Sequence, residues 1–149
     1  MISAIVSAVH VLALALGLPS VFVRGRALKG PLGADGLARL FEADSLWGIA
    51  ALLWLVTGLL RVFGGLEKGS QFYLTSSLFW VKMALFAIVI LLEIWPMMTF
   101  MRWRGVSRRG GRLDTKHARA LFIVNHIELA LVVVMVFVAS FMARGFGHG

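Results

Sequence analysis

Apolar residues dominate four stretches of the chain, residues 2–23, 45–63, 75–100 and 119–142, each bounded by charged, polar or glycine-rich positions. A helix needs about 20 apolar residues to cross a hydrocarbon core of roughly 30 Å, so each stretch predicts one membrane-spanning helix. Within them, the small and polar residues fall on helical stripes. In the first, Ser3, Ser7, His10, Ala13 and Gly17 recur at three- and four-residue steps and predict a face that packs closely against a neighbour. In the third, Thr75, Phe79, Lys82, Phe86 and Glu93 share a face, since eleven residues make about three turns. In the fourth, Asn125 and Glu128 lie one turn apart, in line with Met135, Ala139 and Met142. His126 is offset by about 100° and borders that face.

The segments between the spans are read from the same pattern. The leucines and Phe41 of residues 32–41 predict a short amphipathic helix at the membrane surface, closed by Glu42 and Asp44, with Asp44 or Ser45 capping the second span. Trp95-Pro96 predicts a kink or an end in the third span. The tail from residue 144 has little to hold it in place. The first apolar run lacks a preceding charged segment and is followed by Arg24, Arg26 and Lys29, so it reads as a retained helix rather than a signal peptide. The expected fold is all-α: one domain, an antiparallel bundle of four membrane helices.

Composition narrows the chemistry. With 60% hydrophobic and 15% charged residues, against about 45–50% and about 25% in soluble domains, a water-soluble fold is excluded. The absence of cysteine excludes disulfides, Cys-ligated zinc, iron–sulfur clusters and thiol catalysis. No Walker loop, Rossmann glycine pattern, His-Glu-x-x-His or Gly-x-Ser-x-Gly is present, which sets aside ATPase and hydrolase readings. The net charge of +8 would suit nucleic acid, but its placement suits a membrane. Eleven basic residues (Arg24, Arg26, Lys29 and Arg39; Arg102, Arg104, Arg108, Arg109, Arg112, Lys116 and Arg119) cluster around the first and third connections, against Arg61, Lys68 and Arg144 on the other side. The positive-inside rule then predicts a multi-pass protein of a bacterial inner membrane with both termini outside, its basic loops meeting anionic lipid headgroups.

Ionisable groups in lipid are costly, by about 2.5–3.5 kcal/mol on insertion scales, and are expected to face the bundle interior. His10, Lys82, Glu93, His126 and Glu128 qualify. At about 1.5 Å per residue, His10 lies about 12 Å and Lys82 about 10 Å below the outer face, level enough to touch one ligand. His126 falls roughly 20 Å below that face, about 8 Å from His10 along the membrane normal, a separation that helix tilt would have to close. Glu128 lies a few Å nearer the middle.

These residues carry a resemblance. His10 is followed by Gly17-Leu18-Pro19-Ser20-Val21-Phe22-Val23-Arg24, Phe79-Trp80-Val81-Lys82 opens a helix, and Arg119 and Asn125 open the last one. In this the chain resembles bacterial four-helix inner-membrane proteins of unassigned function and, more remotely, the HemJ-type protoporphyrinogen oxidases and the CopD-type copper proteins. The Asn-Glu-x-Pro series of the HemJ last helix is here Asn125-His126-Ile127-Glu128. The resemblance implies a b-type haem protein in which His10 and Lys82 are central.

The leading expectation is therefore a haem b redox protein, an oxidoreductase acting on a porphyrin or quinone-like substrate. His10 serves as axial ligand with His126 as the second, and Asn125, Trp54 and Arg61 complete the cofactor site, Trp54 by stacking and Arg61 by holding propionates. Lys82 and Glu128 are the candidate catalytic pair. Either Lys82 meets a propionate, a proton or a metal, or it forms an ion pair with Glu128 that fixes helix register. Glu93 is read as an anchor for Arg102 or a loop arginine. The alternative function is a metal or proton-coupled transporter using His10, Lys82 and Glu128, and a third is an assembly subunit without chemistry. A redox partner or a homo-oligomer is expected, and no nucleic acid.

Overall fold

The computed structural model describes residues 1–65 and 70–147. Lys68, counted above among the outer charges, and His148 lie outside them. Helix α1 spans Ile2–Lys29, α2 Ala34–Phe63, α3 Ser70–Leu74, α4 Ser77–Arg108 and α5 Ala118–Ala143. The four long helices are apolar and long enough to cross a membrane, and they pack antiparallel. Many of their large apolar side chains, such as Leu12, Leu52, Leu91 and Phe137, point outward from the bundle, as a lipid solvent requires. The chain belongs to the membrane on composition and fold together.

Helix order around the bundle follows from which helices touch. α1 packs along α2 and α5, α4 packs along α5, and α2 and α4 make few contacts. One end of the bundle holds the loops at 30–33 and 109–117 and is termed the Arg-rich end; the other holds both termini and α3.

Four departures from the expected elements have local causes. The connector expected over residues 32–41 is not a separate surface helix but the first turns of α2, which runs unbroken from Ala34. Neither expected cap operates: the Ser45 hydroxyl donates back to the Phe41 carbonyl (2.8 Å), and the Asp44 carboxylate is turned to Arg24 and Arg104. Leu37 and Leu40 are buried against Leu28, Phe100, Trp103 and Leu121 rather than laid on a membrane surface. Of the kink or end expected at Pro96, the end does not occur: α4 passes through Pro96 and continues to Arg108, the lost helical bond being offset by burial of Pro96 itself and of Phe100 and Trp103 beyond it. The tail after α5 is held: Gly147 accepts the backbone N–H of Ser77 at 3.0 Å, tying it to the start of α4.

The interior is layered along the bundle axis. At the Arg-rich end lies the cluster of Leu28, Leu40, Phe100 and Leu121. The middle is filled by Val21, Trp47, Val89, Val132 and Met135. The terminal end is closed by Val62, Tyr73, Phe79 and Met142. Two polar features occupy the spaces between these layers.

Candidate functional site

The first feature separates the Arg-rich layer from the middle one. Arg24, on the last turns of α1, is fully buried. Its guanidinium lies between the faces of Phe100 (5.7 Å) and Trp47 (5.9 Å), one from each layer. Every nitrogen finds an acceptor on another helix. Nε donates to Asn125 Oδ1 (2.7 Å), Nη1 to Asp44 Oδ1 (3.2 Å) and Glu93 Oε1 (2.7 Å), and Nη2 to Glu93 Oε2 (2.9 Å) and Glu128 Oε2 (2.5 Å). Trp47 Nε1 adds a bond to Glu93 Oε2 (3.0 Å), and Asn125 Nδ2 closes the ring on the Val21 carbonyl (2.8 Å). Arg104 approaches from the Arg-rich end, donating to Asp44 Oδ2 at 2.7 Å. One guanidinium thus joins all four spanning helices, using the planar fork that lysine lacks.

The second feature lies between the middle and terminal layers. A cavity of about 560 Å³ is bounded by α1, α2, α4, α5 and the α3 segment, and its walls include His10, Trp54, Arg61, Lys82, Met83 and Met135. That volume falls within the roughly 300–1,000 Å³ of small-molecule sites. His10 is oriented rather than loose. The Thr57 hydroxyl donates its single proton to the Leu53 carbonyl (2.5 Å), so its oxygen accepts from His10 Nδ1 at 2.8 Å. With Nδ1 engaged in this way, the direction of the imidazole in the cavity wall is set. Trp54 lies beside the imidazole with ring centres 5.9 Å apart, and its buried Nε1 has no acceptor among the described residues. A buried indole N–H without a partner in a cavity wall suits a guest that carries an acceptor.

The structure sorts the expected site residues into these two places. His10, Lys82, Trp54 and Arg61 come together around the cavity. Asn125 and Glu128 do not; both are committed to Arg24. A Lys82–Glu128 pair is likewise not formed. Lys82 stands eleven residues, about 16 Å, along α4 from Glu93, and Glu93 shares the Arg24 Nη2 donor with Glu128. Of the two anchors expected for Glu93, Arg102 or an arginine of a connection, the structure forms the second: its partner is Arg24. His126 is exposed, bonded to the Phe122 carbonyl (2.8 Å) and adjacent to Gly25. Gly25 is fifteen residues, about 22 Å, along α1 from His10, so the two histidines cannot share one iron. Among the described residues there is no cluster of three or more His, Asp or Glu suited to a metal ion.

Sequence reasoning missed Arg24, Asp44 and Thr57 as site residues. The signal for Arg24 was present: His10, Gly17 and Arg24 are spaced by seven, so the α1 stripe continues directly into it.

Comparison with known protein families decides the kinship. Residues 2–147 match the family described as "Predicted membrane protein (DUF2214)". The chain belongs to that family. The match covers every spanning helix and both features described above. The family is of unknown function. No curated protein and no solved structure matches the chain.

Proposed function

We propose that the chain is a b-type haem-binding redox protein of a bacterial inner membrane, its guest seated in the His10 cavity. The observation that carries this reading is the His10–Thr57 hydrogen bond in the cavity wall. An axial histidine is ordinarily fixed by a bond from its other ring nitrogen, which sets the tautomer and the ring direction. Around it, Trp54 offers a flat aromatic face and an unused N–H, and Lys82 and Arg61 offer cationic partners for propionates. Met83 and Met135, in the same walls, would offer thioether sulfurs to an iron held there, a role that His126 is too remote to fill. When bound, the iron supplies one-electron chemistry. The chain's own part is to exclude water, fix the imidazole and neutralise the carboxylates.

With the buried Arg24 set aside, the ten-to-three distribution of basic residues still supports an orientation with both termini outside, which places this cavity in the outer half of the membrane. The sparse contact between α2 and α4 offers lateral entry to a lipid-dissolved porphyrin or quinone-like substrate. A chain with one redox group exchanges electrons with a second carrier or a second copy. The transporter alternative draws less support, because His10 and Lys82 share a cavity from which Glu128 is remote.

Protein purified from haem-replete cells is expected to show a Soret band and a reduced α band that weaken strongly in His10→Ala. A colourless wild-type protein would remove the haem reading.

A further inference from the structure

Counting donors around the Arg24 cluster distinguishes its three carboxyl groups. Glu93 accepts three hydrogen bonds, two from Arg24 and one from Trp47, and uses both oxygens. Asp44 also uses both, Oδ1 to Arg24 and Oδ2 to Arg104. Each therefore has the surroundings of an ionised acceptor. Glu128 differs. It is fully buried, its Oε2 meets Arg24, and its Oε1 is buried with no donor among the described residues. A bare carboxylate oxygen shut away from water is the costliest arrangement available to this group, whereas a protonated oxygen there is a neutral hydroxyl.

Charge balance points the same way. The groups facing one another are Arg24 from α1, Asp44 from α2, Glu93 and Arg104 from α4, and Glu128 from α5. Two guanidiniums against three carboxylates leave one negative charge over, and one proton removes it. We propose that Glu128 is a proton-binding site, carrying an exchangeable proton on Oε1 as a neutral carboxylic acid. Release passes that proton to Glu93, whose carboxylate shares the Arg24 Nη2 donor with Glu128, and then to water, leaving the cluster with one net negative charge; uptake reverses both steps. The route faces the Arg-rich end. Exposure of the side chains rises from 0% at Glu128 to 21% at Glu93 and 30% at Arg104, and Arg104 lines an open recess with Phe41, Glu42, Ser45 and Ser107. The apolar layer of Trp47, Val89 and Val132 separates this site from the His10 cavity, so the inference stands whether or not haem occupies that cavity.

Infrared spectroscopy of the purified full-length chain in lipid at neutral pH tests the proposal. The expected result is one protonated-carboxyl C=O stretch that shifts when glutamate is ¹³C-carboxyl labelled, shifts again on transfer to D₂O, is indifferent to exchange of Na⁺ for K⁺ or choline, and vanishes in Glu128→Gln. The isotope arms use wild-type protein and so remain decisive if the variant fails to fold. Absence of the band, failure to shift with labelled glutamate, resistance to D₂O, or loss of the band on adding Na⁺ or K⁺ would each overturn it, the last in favour of a metal-cation site.

Discussion

Arg24→Leu is expected to cost about 3–5 kcal/mol of stability, the penalty for removing one partner of a buried ion pair. The leucine fills most of the space but supplies none of the donors. Glu93, Glu128 and Asp44 then confront one another with only Arg104 nearby, and Asn125 Oδ1 loses its donor. Because these groups come from all four spanning helices, the loss falls on the assembly of the bundle rather than on any single helix. Arg24→Lys is expected to recover only part of the loss, since one ammonium cannot meet four acceptor groups spread around a planar fork. Thermal unfolding in a mild detergent measures both. Lys116→Ala, which removes an exposed pair with Asp114, is the control and is expected to change little.

Gly25→Val is expected to be the next most damaging change. A Cβ at Gly25 would lie 2.6 Å from Asn125 Nδ2 and 3.0 Å from His126 Cε1. Asn125 has nowhere to retreat, because it is buried and held at one end by Arg24 and at the other by the Val21 carbonyl. Either α1 moves off α5 or the asparagine gives up its bonds. Overpacking costs about 1–3 kcal/mol, and a stranded buried polar group adds about 1–3 kcal/mol. Gly48→Ala is the matched control: it also replaces a glycine inside a spanning helix, but nothing lies within 4 Å of the added carbon, so a neutral or slightly stabilising result is expected. Equal destabilisation by the two would show that Gly25 has no special role.

The contrast between these sites explains how far the residues alone were informative. The spanning helices were legible because apolar length is a local property. The His10–Lys82 cavity was legible because both residues lie inside apolar runs on stripes of their own helices. The Arg24 cluster was not, because the first apolar run ends at Val23, and an arginine just beyond a span is ordinarily a loop charge. Asp44 was hidden in the same way by its suitability as a helix cap. Which carboxylate would meet which guanidinium depends on helix rotation and depth, set by packing between segments far apart in the chain. The offset of His126 from the Asn125–Glu128 face did carry the correct warning.

The central functional claim is that His10, and not His126, binds the guest in the outer cavity. Haem titration of detergent-purified protein, followed in the Soret region for the wild type, His10→Ala and His126→Ala, tests it most directly. One equivalent per chain is expected to saturate the wild type and His126→Ala alike, with binding by His10→Ala weakened at least about tenfold, the scale of about 1.4 kcal/mol. Equal binding by wild type and His10→Ala, or loss of binding only in His126→Ala, would contradict the account.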